Sequence, residues 1–506
     1  MNLRRTRTTR LIVPSFLGYL LLFSALVRGT DLKLHVEKDQ LVAGLTKSIP
    51  SLMKQARIPG LSLALIRDGQ VLWHGSFGVK NATTREPVTK ETIFEAASLT
   101  KPLFAYAVLK LVEQGDLTLD APLIGYVPEK LIEEKLLDHP LQLEGFQIER
   151  FRKVTARQVL SHSSGLPHGE RGKPYPIFFE PGEKYKYSAG GYYYLQLVVE
   201  HLKNKPLEQI IQEQVLDPLE MRRSSMVWKE DYESQAAVGH DFLGETTGEF
   251  RKRTRAHAAA TLYTTAEDYA RFVVAVLNGS GLKASTLKEM LTPQIEVDNR
   301  VFWSLGFGIQ RNPAGECFWQ WGDYGIFRNY IVAFKKEKIG VVYLTNSFNG
   351  LSIGEELVEQ AIGSKDLGLA HLKYERYDSP AMLFANVIRA DGIAKAKEIF
   401  PQFREQYSST FTETRINALG YAFLNARKFT EAIEVLKLNL EAFPKSANAY
   451  DSLAEAYLNK GEKENALKYY EMALQKAEDD PRPDKDFLNR LRENAREKLK
   501  SLKKEP

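Results

Sequence analysis

Serine followed three residues later by lysine is the spacing in this chain that could support nucleophilic chemistry. A serine hydrolase needs a hydroxyl, a base within hydrogen-bond reach and donors for the oxyanion. At the start of a helix, residues three apart project from one face, and the helix dipole favours an alkoxide there. The pattern alone is weak, because it occurs five times, at Ser51, Ser98, Ser280, Ser285 and Ser501.

The surroundings of Ser98 set it apart from the other four serines. Ser98-Leu99-Thr100-Lys101 follows a short, mainly apolar stretch and precedes Pro102 and a long apolar helical pattern that Gly115 ends. The other serines lie in a charged tail, beside a glycine loop or ahead of the first predicted hairpin. The context therefore favours Ser98 and Lys101 as the reactive pair.

Other catalytic chemistries receive little support from the sequence. Gly350-Leu351-Ser352-Ile353-Gly354 fits the G-x-S-x-G elbow, but only His371 lies downstream as a base, and no parallel βαβ series surrounds it. The nine histidines are scattered without an H-E-x-x-H pattern or a His/Asp cluster. We therefore expect no metal and no other cofactor. His162 and His168 should lie near the cleft that contains Ser98.

Strand patterns at both ends of residues 35–365 must supply the framework that positions Ser98. Residues 61–66 and 71–74 surround a turn with Gly69, which predicts a β-hairpin. Later apolar runs predict an antiparallel meander over 301–345 that joins this hairpin, closed by a helix over 354–362. Helical stretches fill the middle of this region. The order is typical of an α+β fold, with an antiparallel sheet flanked by helices and a mainly helical portion.

Beyond about residue 376 the strand patterns stop and a repeat begins. Large and small apolar positions recur at a spacing of 34 residues, which is the tetratricopeptide period. A degenerate unit precedes two clear units, and an amphipathic terminal helix follows as a cap. The repeated positions are Ile416, Leu419, Gly420, Phe423, Ala432 and Leu436, then Tyr450, Leu453, Ala454, Tyr457, Ala466 and Tyr470. We expect an all-α helical-repeat domain that packs against the preceding domain and offers a groove to a protein partner.

Residues 1–29 have the composition of an export signal. Arginines precede an apolar run of 17 residues from Leu11 to Val27, just under the about 20 that span a bilayer. We expect cleavage and a secreted or periplasmic protein, with an uncleaved membrane anchor as the alternative. Without the five arginines of this segment, the 64 remaining basic residues balance the 64 acidic ones, so nucleic acid is not expected as a partner. A single cysteine, Cys317, excludes a disulfide framework.

Over residues 40–362 the chain resembles the serine β-lactamase and penicillin-binding family. The branch is the class C-like one, which also contains esterases and D-amino peptidases. Matching motifs occur in the family's order, and Ser-x-x-Lys is its first element. They are Ile58–Leu61, Trp73–Gly78, Leu160–Pro167, Phe179–Glu183, Tyr187–Tyr192, Asp217–Leu219, Thr264–Asp268, Leu305–Gly308 and Trp321–Gly325.

The resemblance implies a role for each matched residue. Ser98 would be the acylated nucleophile, and Lys101 would lower its pKa or take its proton. Tyr187 would share the role of base, as a phenolate stabilised by Lys101, and later protonate the leaving group. The backbone N–H groups of Ser98 and Ile326 would form the oxyanion hole. A packing role for Tyr187, within its run of tyrosines, is the alternative.

Two positions depart from the family's pattern and bear on the substrate. The second element normally ends in Asn, and here Ala189 stands in its place. The third element, which includes Gly325, normally begins with Lys or His, and here Asp323 stands in that place. A carboxylate at that position would repel a substrate carboxylate by about 1 kcal/mol or more. The expected substrate-binding positions are Ala189, Asp323 and Gly325, and the two changes among them favour a neutral or cationic ester or amide, unless Arg328 supplies the missing charge.

The sequence therefore predicts three segments: a signal peptide over 1–29, a serine hydrolase domain over 30–365, and helical repeats over 376–506. The expected activity is acyl transfer through Ser98 on a small-molecule or peptide-like ester or amide, without a cofactor. The alternative is a catalytically inactive module that binds a ligand or a protein partner through its pocket and repeats.

Overall fold

The structure is a computed structural model that describes residues 32–132, 134–135, 146–168, 177–248, 250–364, 368–482 and 484–504. The predicted signal peptide, residues 1–29, lies outside these residues. None of the helices described in these ranges is both long enough and apolar enough to cross a membrane.

An antiparallel sheet forms the framework of the first domain. Within the described residues its eight strands run in the order β2-β1-β10-β9-β8-β7-β6-β5, and β3 pairs with β4 in a separate ribbon. The early hairpin thus joins the late meander through β1 and β10, as the sequence predicts. The strands are β1 (Gly60–Arg67), β2 (Gln70–Gly78), β3 (Phe94–Glu95), β4 (Tyr263–Thr264), β5 (Ile295–Asp298), β6 (Val301–Trp303), β7 (Gly308–Asn312), β8 (Gly315–Asp323), β9 (Arg328–Phe334) and β10 (Ile339–Thr345).

One expected strand is divided in the structure. The apolar run over 301–310 forms β6 and β7, with a tight turn between them in which Ser304 N–H donates to Phe307 O at 2.8 Å. Gly306 in this turn has a φ of 102°, and an added Cβ would lie 2.6 Å from the Ala105 Cβ. The helical portion therefore approaches the sheet too closely here for a continuous strand with ordinary side chains.

Helices cover both faces of the sheet, because successive strand residues point to opposite sides. In β1, Ala64 and Ile66 face a core built with α2–α9, whereas Leu63 and Leu65 face α1 and α10. The helices of this domain are α1 (Lys38–Ala56), α2 (Thr100–Gln114), α3 (Glu129–Ile132), α4 (Phe146–Arg152), α5 (Ala156–Leu160), α6 (Gly190–Lys203), α7 (Leu207–Ile211), α8 (Ala266–Asn278), α9 (Ala284–Leu291), α10 (Gly354–Ile362) and α11 (Gly368–Leu372). The expected α+β class is confirmed.

Paired antiparallel helices form the C-terminal region. Gly420 lets α13 approach α14, since an added Cβ would lie 2.6 Å from the Leu436 side chain. Gly392, with a φ of 83°, interrupts α12. The helices are α12 (Pro380–Gln406), α13 (Glu413–Asn425), α14 (Phe429–Ala442), α15 (Ala447–Lys460), α16 (Lys463–Asp479) and α17 (Lys485–Lys504). The two clear units correspond to α13–α14 and α15–α16, and α17 follows as the predicted cap.

The two regions are in direct contact. Phe242 of the first domain packs with its ring centroid 5.5 Å from that of Phe423, and Arg389 donates to Phe242 O at 2.7 Å. Residues 368–374 pack against the sheet. Gly368 packs against Trp319, and Tyr374 donates its hydroxyl to Asp323 at 2.5 Å. This segment, which follows the predicted end of the first domain at 365, therefore contacts that domain directly.

Candidate active site

Ser98 lies in a single 3-10 turn, Ala97–Leu99, between β3 and α2. Two hydrogen bonds fix the residues that precede this turn. Ala96 N–H donates to Leu262 O at 2.8 Å, and Asn329 Nδ2 donates to Glu95 O at 3.0 Å. Ala97 has a φ of 51°. That left-handed backbone costs about 1 kcal/mol or more in a non-glycine residue, and such strain is often found at reactive positions.

Lys101 is buried beside the Ser98 hydroxyl. Its Nζ lies 3.0 Å from Ser98 Oγ and donates to Ala259 O at 2.8 Å. The side chain is 1 % exposed, and burial lowers the pKa of Lys101 to about 7. The uncharged amine is therefore accessible near neutral pH, and this form can accept a proton from the serine.

Tyr187 closes the other side of the pair. Lys101 Nζ lies 4.8 Å from the centroid of the Tyr187 ring, and Gln320 Nε2 donates to the Tyr187 hydroxyl at 3.3 Å. Burial strongly raises the pKa of Tyr187, and the hydrogen bonds from Ser98 and Gln320 only partly offset it. The hydroxyl therefore stays protonated at neutral pH, which favours Lys101 over a Tyr187 phenolate as the base.

His162 holds the backbone on both sides of Tyr187. Lys186 N–H donates to His162 O at 2.8 Å, and Ser188 N–H donates to His162 Nδ1 at 3.1 Å. The imidazole ring lies 4.2 Å from the Tyr187 ring, centroid to centroid. Burial, followed by the charge of Lys101, lowers the pKa of His162 well below its usual value, so the ring is neutral. The sequence predicted that His162 lies near the cleft, but it did not predict these two hydrogen bonds to the backbone around Tyr187.

Gln320 of β8 contacts both Ser98 and Tyr187. Besides its bond to Tyr187, Gln320 Nε2 donates to Ser98 O at 3.1 Å. Two residues later, an added Cβ on Gly322 would lie 2.1 Å from Ala96 O, so only glycine fits beside the Ser98 turn. Gln320 is therefore the β8 side chain that contacts both Ser98 and Tyr187, and the sequence did not predict it.

The Asp323 carboxylate lies on the opposite side of β8 from Gln320. It accepts the Tyr374 hydroxyl, pairs with Arg328 Nε at 3.2 Å and accepts Gly325 N–H at 2.6 Å. Arg328 stacks 3.9 Å above the Phe348 ring. The Asp323 carboxylate and the Arg328 guanidinium are thus engaged with each other and with the Tyr374 and Phe348 side chains. Gly325 lies in the turn, with a φ of 78°.

The backbone of β8 offers another candidate donor for the oxyanion hole. Tyr324 N–H donates to Phe327 O at 3.0 Å. Because bonded residues alternate along an antiparallel ladder, the Asp323 N–H points away from β9. It points past the end of β7, which pairs with β8 only as far as Trp319. Ile326 lies beyond the strand in the turn, and its side chain packs against Gly239. The Asp323 N–H is therefore a candidate for the second donor beside Ser98 N–H, and the role of Ile326 stays a prediction.

The remaining candidates are clear in the structure. Ala189 is buried at the start of α6 and offers no side-chain donor. Ser352 donates to Asn349 O at 2.7 Å, and His371 binds Asp298 at 2.7 Å, so the G-x-S-x-G motif does not bring a base to its serine. The structure thus brings Ser98, Lys101 and Tyr187 together and adds Gln320 and His162.

Comparison with known proteins places this site in a family. A beta-lactamase family model matches residues 45–361, and a tetratricopeptide-repeat model matches residues 449–484. Esterase EstB of Burkholderia gladioli is 29% identical over 235 residues, which span 41% of this chain and 56% of the esterase. The chain thus matches just over half of that relative's length.

Two solved structures share the fold. The penicillin-binding protein homologue from Pyrococcus abyssi, described as octameric, has a TM-score of 0.54 at 25% identity, covering 69% of this chain and 81% of its own. The D-alanine carboxypeptidase AmpC from Burkholderia cenocepacia has a TM-score of 0.54 at 20% identity, covering 64% and 99%. The resemblance seen in the motifs is confirmed: the chain belongs to the beta-lactamase family and carries a tetratricopeptide repeat in its C-terminal region.

Proposed function

We propose that the protein is a serine hydrolase that forms an acyl-enzyme on Ser98. The observation that carries the proposal is the buried Lys101 amine, 3.0 Å from Ser98 Oγ, with a pKa lowered to about 7. The amine meets the serine hydroxyl in an enclosed position beside the Tyr187 ring, which is the arrangement that proton transfer from Ser98 requires. The names of the relatives, an esterase and a carboxypeptidase, support an ester or amide as the substrate.

The reaction uses each group in turn. Lys101 Nζ accepts the Ser98 proton as Oγ bonds to the substrate carbonyl carbon, and the N–H groups of Ser98 and Asp323 stabilise the oxyanion. The bond to the leaving group then breaks, and the proton reaches the leaving atom through the Tyr187 hydroxyl. Water then attacks the acyl-enzyme, and the proton transfers through Tyr187 and Lys101 run in the reverse direction. This step releases the acid and returns the proton to Ser98.

The leaving-group side of the cleft favours substrates without a carboxylate there. Gln320, the side chain that contacts both Ser98 and Tyr187, is neutral, and Ala189 stands where the family's Asn is expected. A β-lactam or a D-Ala-D-Ala peptide presents its carboxylate on this side and would find no cation among these residues. We therefore propose esters and amides with neutral or cationic leaving groups.

A fluorophosphonate probe tests the proposal on the full chain. We expect one covalent adduct, located on Ser98 by peptide mass spectrometry, and its absence in Ser98→Ala. Ser285→Ala is the matched control, because Ser285 has the same Ser-x-x-Lys spacing on α9 but should label like the wild type. An unlabelled wild-type protein would favour the alternative of an inactive binding module.

Export and partner binding are further parts of the proposal. The arginines and apolar run of residues 4–27 support secretion or a periplasmic location. The tetratricopeptide repeat supports binding of a protein partner in the C-terminal region. Fractionation of expressing cells tests the proposed export. The mass of the N-terminal peptide of the mature protein tests the cleavage, which is expected near Gly29.

A further inference from the structure

Two arginines lie on a segment that is fixed to the Ser98 turn. The Tyr263 hydroxyl donates to Arg251 O and accepts Arg253 N–H, and Trp228 N–H donates to Arg253 O at 2.8 Å. Tyr263 pairs with Glu95 in the β3–β4 ribbon, three residues before Ser98. The segment therefore has a defined position relative to the nucleophile.

Both guanidinium groups lie over the ring of Tyr324. The Cζ atoms of Arg251 and Arg253 are 4.8 and 4.9 Å from the ring centroid. The Tyr324 hydroxyl donates to Ala260 O at 2.9 Å, and the adjacent Ala259 O is the carbonyl that holds Lys101. Tyr324 also follows Asp323, the candidate oxyanion donor. The arginines are thus linked through one side chain to both parts of the site.

The positive charge of this pair is only partly neutralised. Among the described residues, Glu95 is the acid within ion-pair distance of Arg251, at 3.7 Å, and Arg253 has none. Arg253 Nε is buried and finds no hydrogen-bond partner there. Burial also raises the pKa of Glu95, against the effect of the two arginines. Two cations therefore face one poorly solvated carboxylate, which leaves an excess of positive charge.

The path of β8 leads from the leaving-group side of the site toward the arginines. Tyr187, which is proposed to protonate the leaving group, contacts β8 at Gln320. Asp323 ends β8, about 10 Å further along at the rise of a β-strand, and Tyr324 is the first residue of the turn that follows. The Asp323 N–H lies between Gln320 and Tyr324. A substrate with its carbonyl oxygen at that N–H and its leaving group at Tyr187 extends its acyl portion toward Arg251 and Arg253.

We propose that Arg251 and Arg253 bind a carboxylate on the acyl portion of the substrate, so that the preferred substrates are half-esters or half-amides of dicarboxylic acids. Guanidinium groups suit this because their planar donors match a carboxylate in a bidentate geometry. The proposal rests on the proposed acyl transfer at Ser98, and it does not conflict with the neutral Gln320, which faces the leaving group.

The test compares 4-nitrophenyl hydrogen adipate with 4-nitrophenyl hexanoate on the full chain. The two esters share the leaving group and chain length and differ in a terminal carboxylate. We expect kcat/KM to favour the adipate by about tenfold or more, with the preference falling as salt rises. The double variant Arg251→Gln/Arg253→Gln should lose the preference, because its kcat/KM for the adipate falls toward the value for the hexanoate. Arg255→Gln, a nearby exposed arginine, is the matched control and should behave as the wild type.

The outcomes separate this inference from the proposed function. If fluorophosphonate labels Ser98 but the wild type prefers the hexanoate, or the double variant keeps the adipate preference, the carboxylate site is wrong and the acyl-transfer proposal stands. If Ser98 is not labelled and neither ester reacts, acyl transfer fails. Calorimetric titration with adipate then decides the inference alone: binding that the double variant loses supports it, and no binding overturns it.

Discussion

The reactivity of Ser98 depends on the state of one lysine. Lys101 is fully enclosed, and burial lowers its pKa to about 7. The uncharged amine is the form that can take the Ser98 proton, so acylation should increase as the pH rises through about 7 and level off above it. Burst kinetics with 4-nitrophenyl hexanoate from pH 5 to 9 measure this. Lys101→Arg should abolish the burst, because arginine stays charged. A rate independent of pH in this range would contradict the role of base.

His162 should position Tyr187 without touching the substrate. His162→Leu removes the acceptor of Ser188 N–H, and an unsatisfied buried donor costs about 1–3 kcal/mol. We expect kcat to fall about tenfold with KM nearly constant. His162→Asn keeps an acceptor, and Asn tolerates the left-handed backbone at this position, where φ is 56°. Asn should restore most of kcat, whereas a loss of melting temperature alone, with kcat unchanged, would indicate a purely structural histidine.

At the residue scale, the sequence predicted which residues could be reactive, but it did not predict which face of a strand each side chain occupies. Ser98 and Lys101 follow from spacing and a helix start, and Tyr187 from its motif. Gln320 could not be identified, because the alternating strand fixes its direction only once β8 is paired with β9. Residues three apart on a strand, such as Gln320 and Asp323, occupy opposite faces.

At the scale of elements, the close contact between β8 and the Ser98 turn is the critical packing. Gly322→Ala should displace the turn, since its Cβ would lie 2.1 Å from a backbone oxygen that cannot move away freely. We expect loss of the acylation burst by at least about tenfold with a lower melting temperature. Gly125→Ala places its Cβ in open space and should change neither quantity. Full activity in Gly322→Ala would show that the strand does not shape the site.

The elements themselves were largely predictable from periodicity. Alternation around Gly69 indicates the hairpin, and the 34-residue period indicates the paired helices. The two-residue strands β3 and β4 could not be predicted, because so short a pattern has no periodicity. They nevertheless carry Ser98 and the Arg251 segment to one place.

At the scale of the molecule, the segment over 368–377 connects the repeats to the site. It covers Trp319 and holds Asp323 through Tyr374. A chain that ends at residue 364 exposes Trp319, which should cost about 1.5–3 kcal/mol, and frees the hairpin that carries the Asp323 N–H. We expect a melting temperature lower by about 4 °C or more and weaker acylation.

A chain that ends at residue 378 provides the comparison. It keeps the segment and loses only the repeats, so its acylation should remain within about twofold of the full chain. If both truncated chains are acylated equally, Tyr374 does not support the site. If neither is acylated although both fold, the repeats contribute directly to the active site.

The contact of Phe242 with Phe423 between the two regions could not be predicted, because it joins residues far apart in sequence.

The central claim is that Ser98 carries an acyl group during turnover. Rapid mixing of the full chain with 4-nitrophenyl hexanoate, acid quenching and peptide mass spectrometry measure this directly. The account predicts one hexanoyl group on the peptide with Ser98, formed within the burst, absent in Ser98→Ala and greatly reduced in Lys101→Met. Hydrolysis of the ester with no acyl group on Ser98, or the group on another residue, would contradict it.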